Sequence, residues 1–394
     1  MAKKIVVLGA GIAGLEALAT LHAHDDDHEV ELVLVAPDEA FTVRALGVGE
    51  PFGLGHPHRY LLPDLAARLG ARLVRGTGAR VDTTARHLVL GDGAELDYDA
   101  LIVAVGSRAV PAYEHGVSFD RSGSPDDFDE ALRDLRDGLA GDVAVVVSPG
   151  TRWALPAYEL ALLLRAYAGP EHGVSLITWE PRPLDAFGGA AAERIAEALD
   201  EAGVRWMGDV AADVVSDQAL FAGGHWMEAG RIVHLPIAVG PRIPGLPSDE
   251  HGFLLADEHG RVGGVDGVWA VGDGTVAGCG NGAVAAQHAA RAAADALHRL
   301  TGIRVPYAGP AAVCGLLRTA RGPLYLRAYR EDPDASSTWS DSPLWWPPSK
   351  VAAPWLMSVL VKAAGPRPGG AGLAVGQEPA PGLGATPPSP VVPG

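Results

Sequence analysis

The 394-residue chain is 48% apolar with a formal charge of −17, enough to bury a sizeable core and longer than one domain usually runs. Binding nucleic-acid phosphates takes clustered Lys and Arg, and no such cluster occurs among the 31 basic residues, which excludes nucleic acid as the expected partner. Two cysteines, Cys279 and Cys314, are too few for a disulfide scaffold and predict a reducing, cytoplasmic compartment, while the lack of 18 consecutive apolar residues excludes a spanning helix.

The first element is the β-branched run KIVVL at 4–8, which reads as a strand buried on both faces. Its basic start is that of a signal peptide, but the glycine turn Gly9, Gly11, Gly14 interrupts the apolar run too early. A helix with Leu15, Leu18, Ala19 and Leu21 on one face follows, then the strand VELVLVAP at 30–37, giving a βαβ unit of the expected length. A lone Gly-x-Gly-x-x-Gly is weak; strand before and helix after make it a nucleotide-binding turn. The stretch 72–108 alternates like hairpin strands around GDG and closes with the buried strand LIVAV before Gly106. An acidic helix around 124–139 leads into a second unit at about residue 142, GDVAVVVSPGTRWALPAYELALLL, with VSLITWEP at 174–181 as its second strand.

Aligned on Glu16 and Glu159, the two halves set Gly9, Gly11 and Gly14 against Arg152, Ala154 and Ala157. The first glycine makes the tight turn, the second admits a pyrophosphate and the third lets helix and strand pack closely. Arg152 and Ala154 crowd that space, although Arg152 brings a positive charge. The acid that ends the second strand shows the reverse pattern: Ala36 followed by Asp38 and Glu39 in the first half, Glu180 in the second, placed for a ribose diol. HLPIAVG at 234–240 and VWAVGDG at 268–274 read as strands, and 282–300 as a long alanine-rich helix. The turn at Gly272 and Asp273 offers an acid to a ribityl hydroxyl, and the helix start at Gly282 to Val284 offers free N–H groups.

The order of VVLGAGIAGLEAL, DALIVAVGSRAVP, a degenerate second unit and VWAVGD resembles the FAD-dependent pyridine nucleotide-disulfide oxidoreductase superfamily, over residues 3 to about 300. WALPAYELALLL and SPLWWPPSKVAAPWLMSVL look most similar to its sulfide:quinone reductase and type II NADH dehydrogenase branch. Val105 departs from the Thr usual in the family's ATG strand. The resemblance implies an α/β fold with two Rossmann-like dinucleotide-binding folds. The FAD fold spans 1–110 and 241–305, interrupted by an NAD(P)-type fold at 111–240, with a C-terminal segment at 306–364 and a disordered Gly/Pro/Ala tail at 365–394. It implies FAD held by Gly9, Gly11, Gly14, Gly106, Gly272 and Asp273, with Asp38, Glu39, Arg44 and Gly282 alongside. Glu180 then belongs to a second fold that either binds NAD(P)H or contributes structure alone.

Function follows as expectation: two electrons pass from NAD(P)H or a small reductant through flavin to a quinone-like or other small acceptor. A flavin-dependent tailoring enzyme and a non-catalytic flavin-binding or redox-sensing protein stay open. The branch uses paired redox cysteines, and this chain has none in its second unit, so Cys279 and Cys314 read first as buried thiols and only second as electron carriers. Gln287 resembles a residue near the quinone site. His56 and His58 lack a spacing-matched cluster, so no metal site is expected. The ten residues WLMSVLVKAA after Pro354 are too short to span a bilayer; with Trp345, Trp346 and Trp355 they suit a peripheral membrane contact over 345–362, a cover for the flavin or a homodimer seal.

Overall fold

The computed structural model describes residues 2–364 except 27, 55, 120–124, 139–140, 169–170 and 307–309. The tail expected to be disordered lies outside the described residues.

The chain begins with β1 (Lys3–Leu8), α1 (Ile12–His24) and β2 (Val30–Ala36). Branched side chains on β1 and β2 point into core on both faces, so these strands read as unbroken apolar runs. Parallel strands β3 (Ala71–Arg75) and β4 (Ala100–Val103) flank them. In the 72–108 stretch the buried strand LIVAV is found as β4, and hairpin alternation was expected before it. The first four residues of the stretch instead join β2, and only Gly78–Asp82, His87–Leu90 and Glu95–Asp97 form the antiparallel sheet around GDG.

The second unit repeats the plan with β5 (Val143–Val147), α2 (Leu155–Tyr167), β6 (Val174–Thr178), α3 (Gly189–Ala202), β7 (Val204–Met207) and β8 (Arg231–His234). The sheet order is a short edge strand Val117–Ser118, then β8, β5, β6 and β7, all parallel. HLPIAVG is not one strand: β8 ends at His234, Pro236 cannot donate to a ladder, and Ile237–Val239 pairs instead with Arg108–Val110. Those paired segments carry the chain between the two units.

β9 (Val268–Ala270) then returns beside β4 and completes the first sheet in the order β9, β4, β1, β2, β3. α4 (Gly282–Thr301) packs its Ala286, Ala289 and Ala293 against Leu15 and Leu18 of α1, small residues allowing close approach. Burying a leucine such as these contributes about 1.5–3 kcal/mol. A hairpin not anticipated from sequence, β10 (Ala312–Thr319) and β11 (Gly322–Tyr329), lies against α2 and α4. The last helix, α5 (Pro354–Ala364), packs Leu356, Met357 and Leu360 into the α1–α4 core.

Candidate functional site

Both glycine positions and their replacements sit where parallel strands end and helices begin, the crevice in which α/β sheets bind ligands. In the first turn Gly9 has φ +108°, and a Cβ there would lie 2.4 Å from the Ala104 carbonyl oxygen. A Cβ on Gly14 would lie 1.9 Å from the Gly9 oxygen, so close packing of α1 on β1 and β4 requires both. Gly11 differs: a Cβ there would meet nothing within 4 Å, and its φ of −78° suits any residue. The absent side chain leaves room beside the start of α1, whose first N–H groups have no partner within the helix.

Beyond β2, Asp38 and Glu39 are exposed at the strand's end, and Arg75 donates to the backbone carbonyls of Pro37 and Asp38. Arg44 opens the 3-10 segment Arg44–Phe52 and is exposed. Gly106, with φ +70°, follows the end of β4 and backs onto the turn after β9, where its carbonyl oxygen would lie 2.8 Å from a Cβ on Gly274. In that turn Gly272, with φ +73°, packs on Ala13 of α1. Asp273 accepts from the Gly280 N–H at 3.0 Å, and burial pushes its carboxyl above the usual range. Gly9, Gly11, Gly14, Gly106, Gly272 and Asp273 thus come together at the ends of β1, β4 and β9, while Asp38 and Glu39 follow the end of β2 and Arg44 lies further along the chain.

The start of α4 differs from expectation. Asn281 caps it, its Oδ1 accepting from the N–H groups of Ala283 and Val284 at 3.1 Å each, so these two are not free for a ligand. Gln287 is equally committed: its Nε2 donates to Ala283 and Ala312 carbonyls at 3.0 and 2.8 Å, and its Oε1 accepts from the Ala312 N–H at 2.9 Å. It ties β10 to α4.

The side chains of the second turn are committed to contacts outside it. Arg152 reaches into the first fold, where Nη1 donates to the carbonyls of Asp273 and Thr275 at 3.3 and 3.1 Å and Nη2 to that of Val276 at 2.9 Å. The guanidinium also lies 4.0 Å from the centre of the Phe253 ring. Trp153 packs against Gly280, where a Cβ would lie 2.7 Å from its own, and edge-on to Phe187. Glu180 turns inward, accepting from Tyr158 Oη at 2.9 Å and Thr178 Oγ1 at 3.2 Å; burial raises its carboxyl to about 7. Arg182 is held by Asp185 and Asp334 at 2.6 and 2.7 Å.

Both cysteines are free thiols. Burial pushes the Cys314 thiol up to about 12, and burial also raises Cys279, with the Asp273 carboxylate adding to the rise. Desolvation outweighs the Asn281 backbone hydrogen bond and the Arg330 and Arg152 charges that act to lower Cys279.

A family model for the pyridine nucleotide-disulphide oxidoreductases matches residues 3–296, three quarters of the chain. The chain belongs to that family. Such an oxidoreductase is flavin-dependent, and the chain shares its two interleaved parallel sheets. The sulfide-quinone reductase of Aquifex aeolicus is 25% identical over 273 residues, covering 64% of this chain and 62% of that protein, so the match spans less than two thirds of the relative's length. The solved sulfide:quinone oxidoreductase of that bacterium superposes with a TM-score of 0.76 at 18% identity, over 86% of this chain and 87% of the other. A NAD-dependent persulfide reductase from A. fulgidus superposes with a TM-score of 0.60 at 18% identity, over 83% and 64%. Within this oxidoreductase, sequence reasoning used Glu16 and Glu159 only as alignment marks. Both are buried and hold the C-terminal segment. The signal was available: a carboxylate at the same place in two apolar helices needs a partner.

Proposed function

We propose that this oxidoreductase binds FAD in its first fold, takes electrons from a small reductant other than NAD(P)H, and delivers two electrons to a quinone-like acceptor. The observation that carries the reading is the contrast between the two turns. The first leaves the space at Gly11 open, whereas in the second Arg152 is committed to the carbonyls of the 273–276 turn and Glu180 is buried against Tyr158 and Thr178, away from any ribose.

In this reading the start of α1 faces the pyrophosphate, Asp38 or Glu39 takes the adenosine ribose, and Asp273 accepts from the ribityl chain. The flavin when bound supplies the two-electron chemistry, and the protein supplies binding, orientation and electrostatics. Neither thiol is activated, so the reductant meets the flavin without a cysteine carrier. Arg152 bridges the folds and fixes the 273–276 turn. The sulfide-quinone reductase relative supports an inorganic sulfur donor and a quinone acceptor as the classes to try first.

The test is flavin content. Purified protein is expected to show the two visible flavin bands, and Gly11→Val to lose them while keeping its fold, because valine fits the φ of −78° and fills only the ligand's space. A folded Gly11→Val protein with full FAD would refute this placement.

A further inference from the structure

The two halves carry one carboxylate each at the same place, Glu16 on α1 and Glu159 on α2, with side chains 1% and 0% exposed. A buried carboxylate persists only where something answers it. Both are answered by a single short segment far away in sequence. Lys350 Nζ donates to Glu159 and to the Leu316 carbonyl, with Arg318 3.5 Å from Glu159 on its other side. Glu16 accepts from the N–H groups of Trp355 and Leu356 at 3.2 and 2.7 Å, the free donors at the start of α5.

Between these anchors the segment crosses the start of α4 and the start of α1, the latter being where the proposed FAD pyrophosphate lies. Val351 is buried, and its Cγ1 would lie 2.6 Å from a Cβ on Gly282 at the start of α4; Ile12 in the first turn lies 3.2 Å from the same point. Ala352 and Trp345 pack against the cluster of Ala283, Ala312 and Cys314, and Ser349 is buried, its hydroxyl donating to the Val351 carbonyl at 2.6 Å. Trp346, just before the segment, is 77% exposed, and Trp355, at its second anchor, is 40% exposed.

We propose that residues 349–356 form a strap that closes the flavin site, and that Glu16 and Glu159 are positioning residues that pin its two ends, one to each dinucleotide fold. The strap crosses from one fold to the other, so its fit depends on how the two folds sit together. Loosening either end exposes the flavin edge to solvent and acceptor without touching the pyrophosphate turn. This rests on FAD occupying the first fold.

The experiment is hydrogen exchange by mass spectrometry on FAD-bound protein, with iodide quenching of flavin fluorescence. Glu16→Ala is expected to speed exchange at Trp355 and Leu356 by about tenfold and to raise quenching, while β1 and β4 stay protected. Glu16→Gln, whose amide oxygen still accepts from both N–H groups, is expected to restore most of the protection. The pair Glu159→Gln with Lys350→Met, which leaves no lone buried charge, is expected to free 349–351 in the same way. Unchanged exchange and quenching in FAD-bearing Glu16→Ala and in the pair would overturn the strap. If Glu16→Ala does not fold, the unsubstituted holoenzyme decides. In sub-denaturing urea, exchange at 349–356 and iodide access should rise together before β1 opens, and opening only with β1 contradicts the proposal. A preparation without flavin bands would instead fail the reading beneath it.

Discussion

Glu180 keeps its proton to about pH 7 because burial beside Tyr158 strips the water that would solvate its charge. The folded protein therefore holds this proton more tightly than the unfolded chain, whose value is near 4.5. Its contribution is fully present below that value and is lost as pH rises through about 7, up to about 3 kcal/mol. Urea unfolding at pH 5, 6.5 and 8 should show stability falling with pH, and Glu180→Gln should flatten part of that slope; an unchanged slope would place the proton elsewhere. Glu16, raised to about 7 by its own burial, supplies a second part of the same trend. The thiols give another residue-level test. With both held protonated at neutral pH, Cys279→Ser and Cys314→Ser should each leave the rate of flavin reduction within about twofold of the parent. Loss of reduction in both, with FAD retained, would restore a cysteine route.

At the scale of elements, the turn before α2 acts as a clasp. Arg152→Ala removes three hydrogen bonds to the 273–276 turn, and each is worth about 0.5–1.5 kcal/mol net. FAD affinity, measured by fluorescence on release, should fall about tenfold, since the same turn presents Asp273. Unchanged affinity would mean that the turn holds its shape alone. The sequence made β1, α1, β2, β5 and α4 legible because each is an apolar run bounded by glycine, proline or a cap. It also showed that the second turn was damaged. What Arg152 does instead was not legible: it finds its carbonyl partners more than 120 residues away, and no local pattern encodes such a contact. The β10–β11 hairpin escaped notice because its apolar run is continuous around Cys314 and its turn, Thr319 to Gly322, lacks a strong turn pair. The 71–75 strand was misread because alternation looks the same whether a strand pairs with a hairpin partner or a parallel neighbour.

Across the whole molecule, the core of the second fold is continuous with α4 and the β10–β11 hairpin, as suits the proposed reading in which the first fold holds the nucleotide and the second serves structure. The C-terminal segment ties both together through Glu16 and Glu159. No described helix is long and apolar enough to cross a membrane, and Trp346 and Trp355 are exposed. The central claim, that electrons enter without nicotinamide, is tested most directly by anaerobic titration of the FAD-bound protein with NADH, NADPH and then sulfide, followed at the visible flavin band. The account predicts that neither nicotinamide bleaches the band and that the small reductant does. Rapid, stoichiometric bleaching by NADH or NADPH would contradict it and show that the second turn opens despite Arg152.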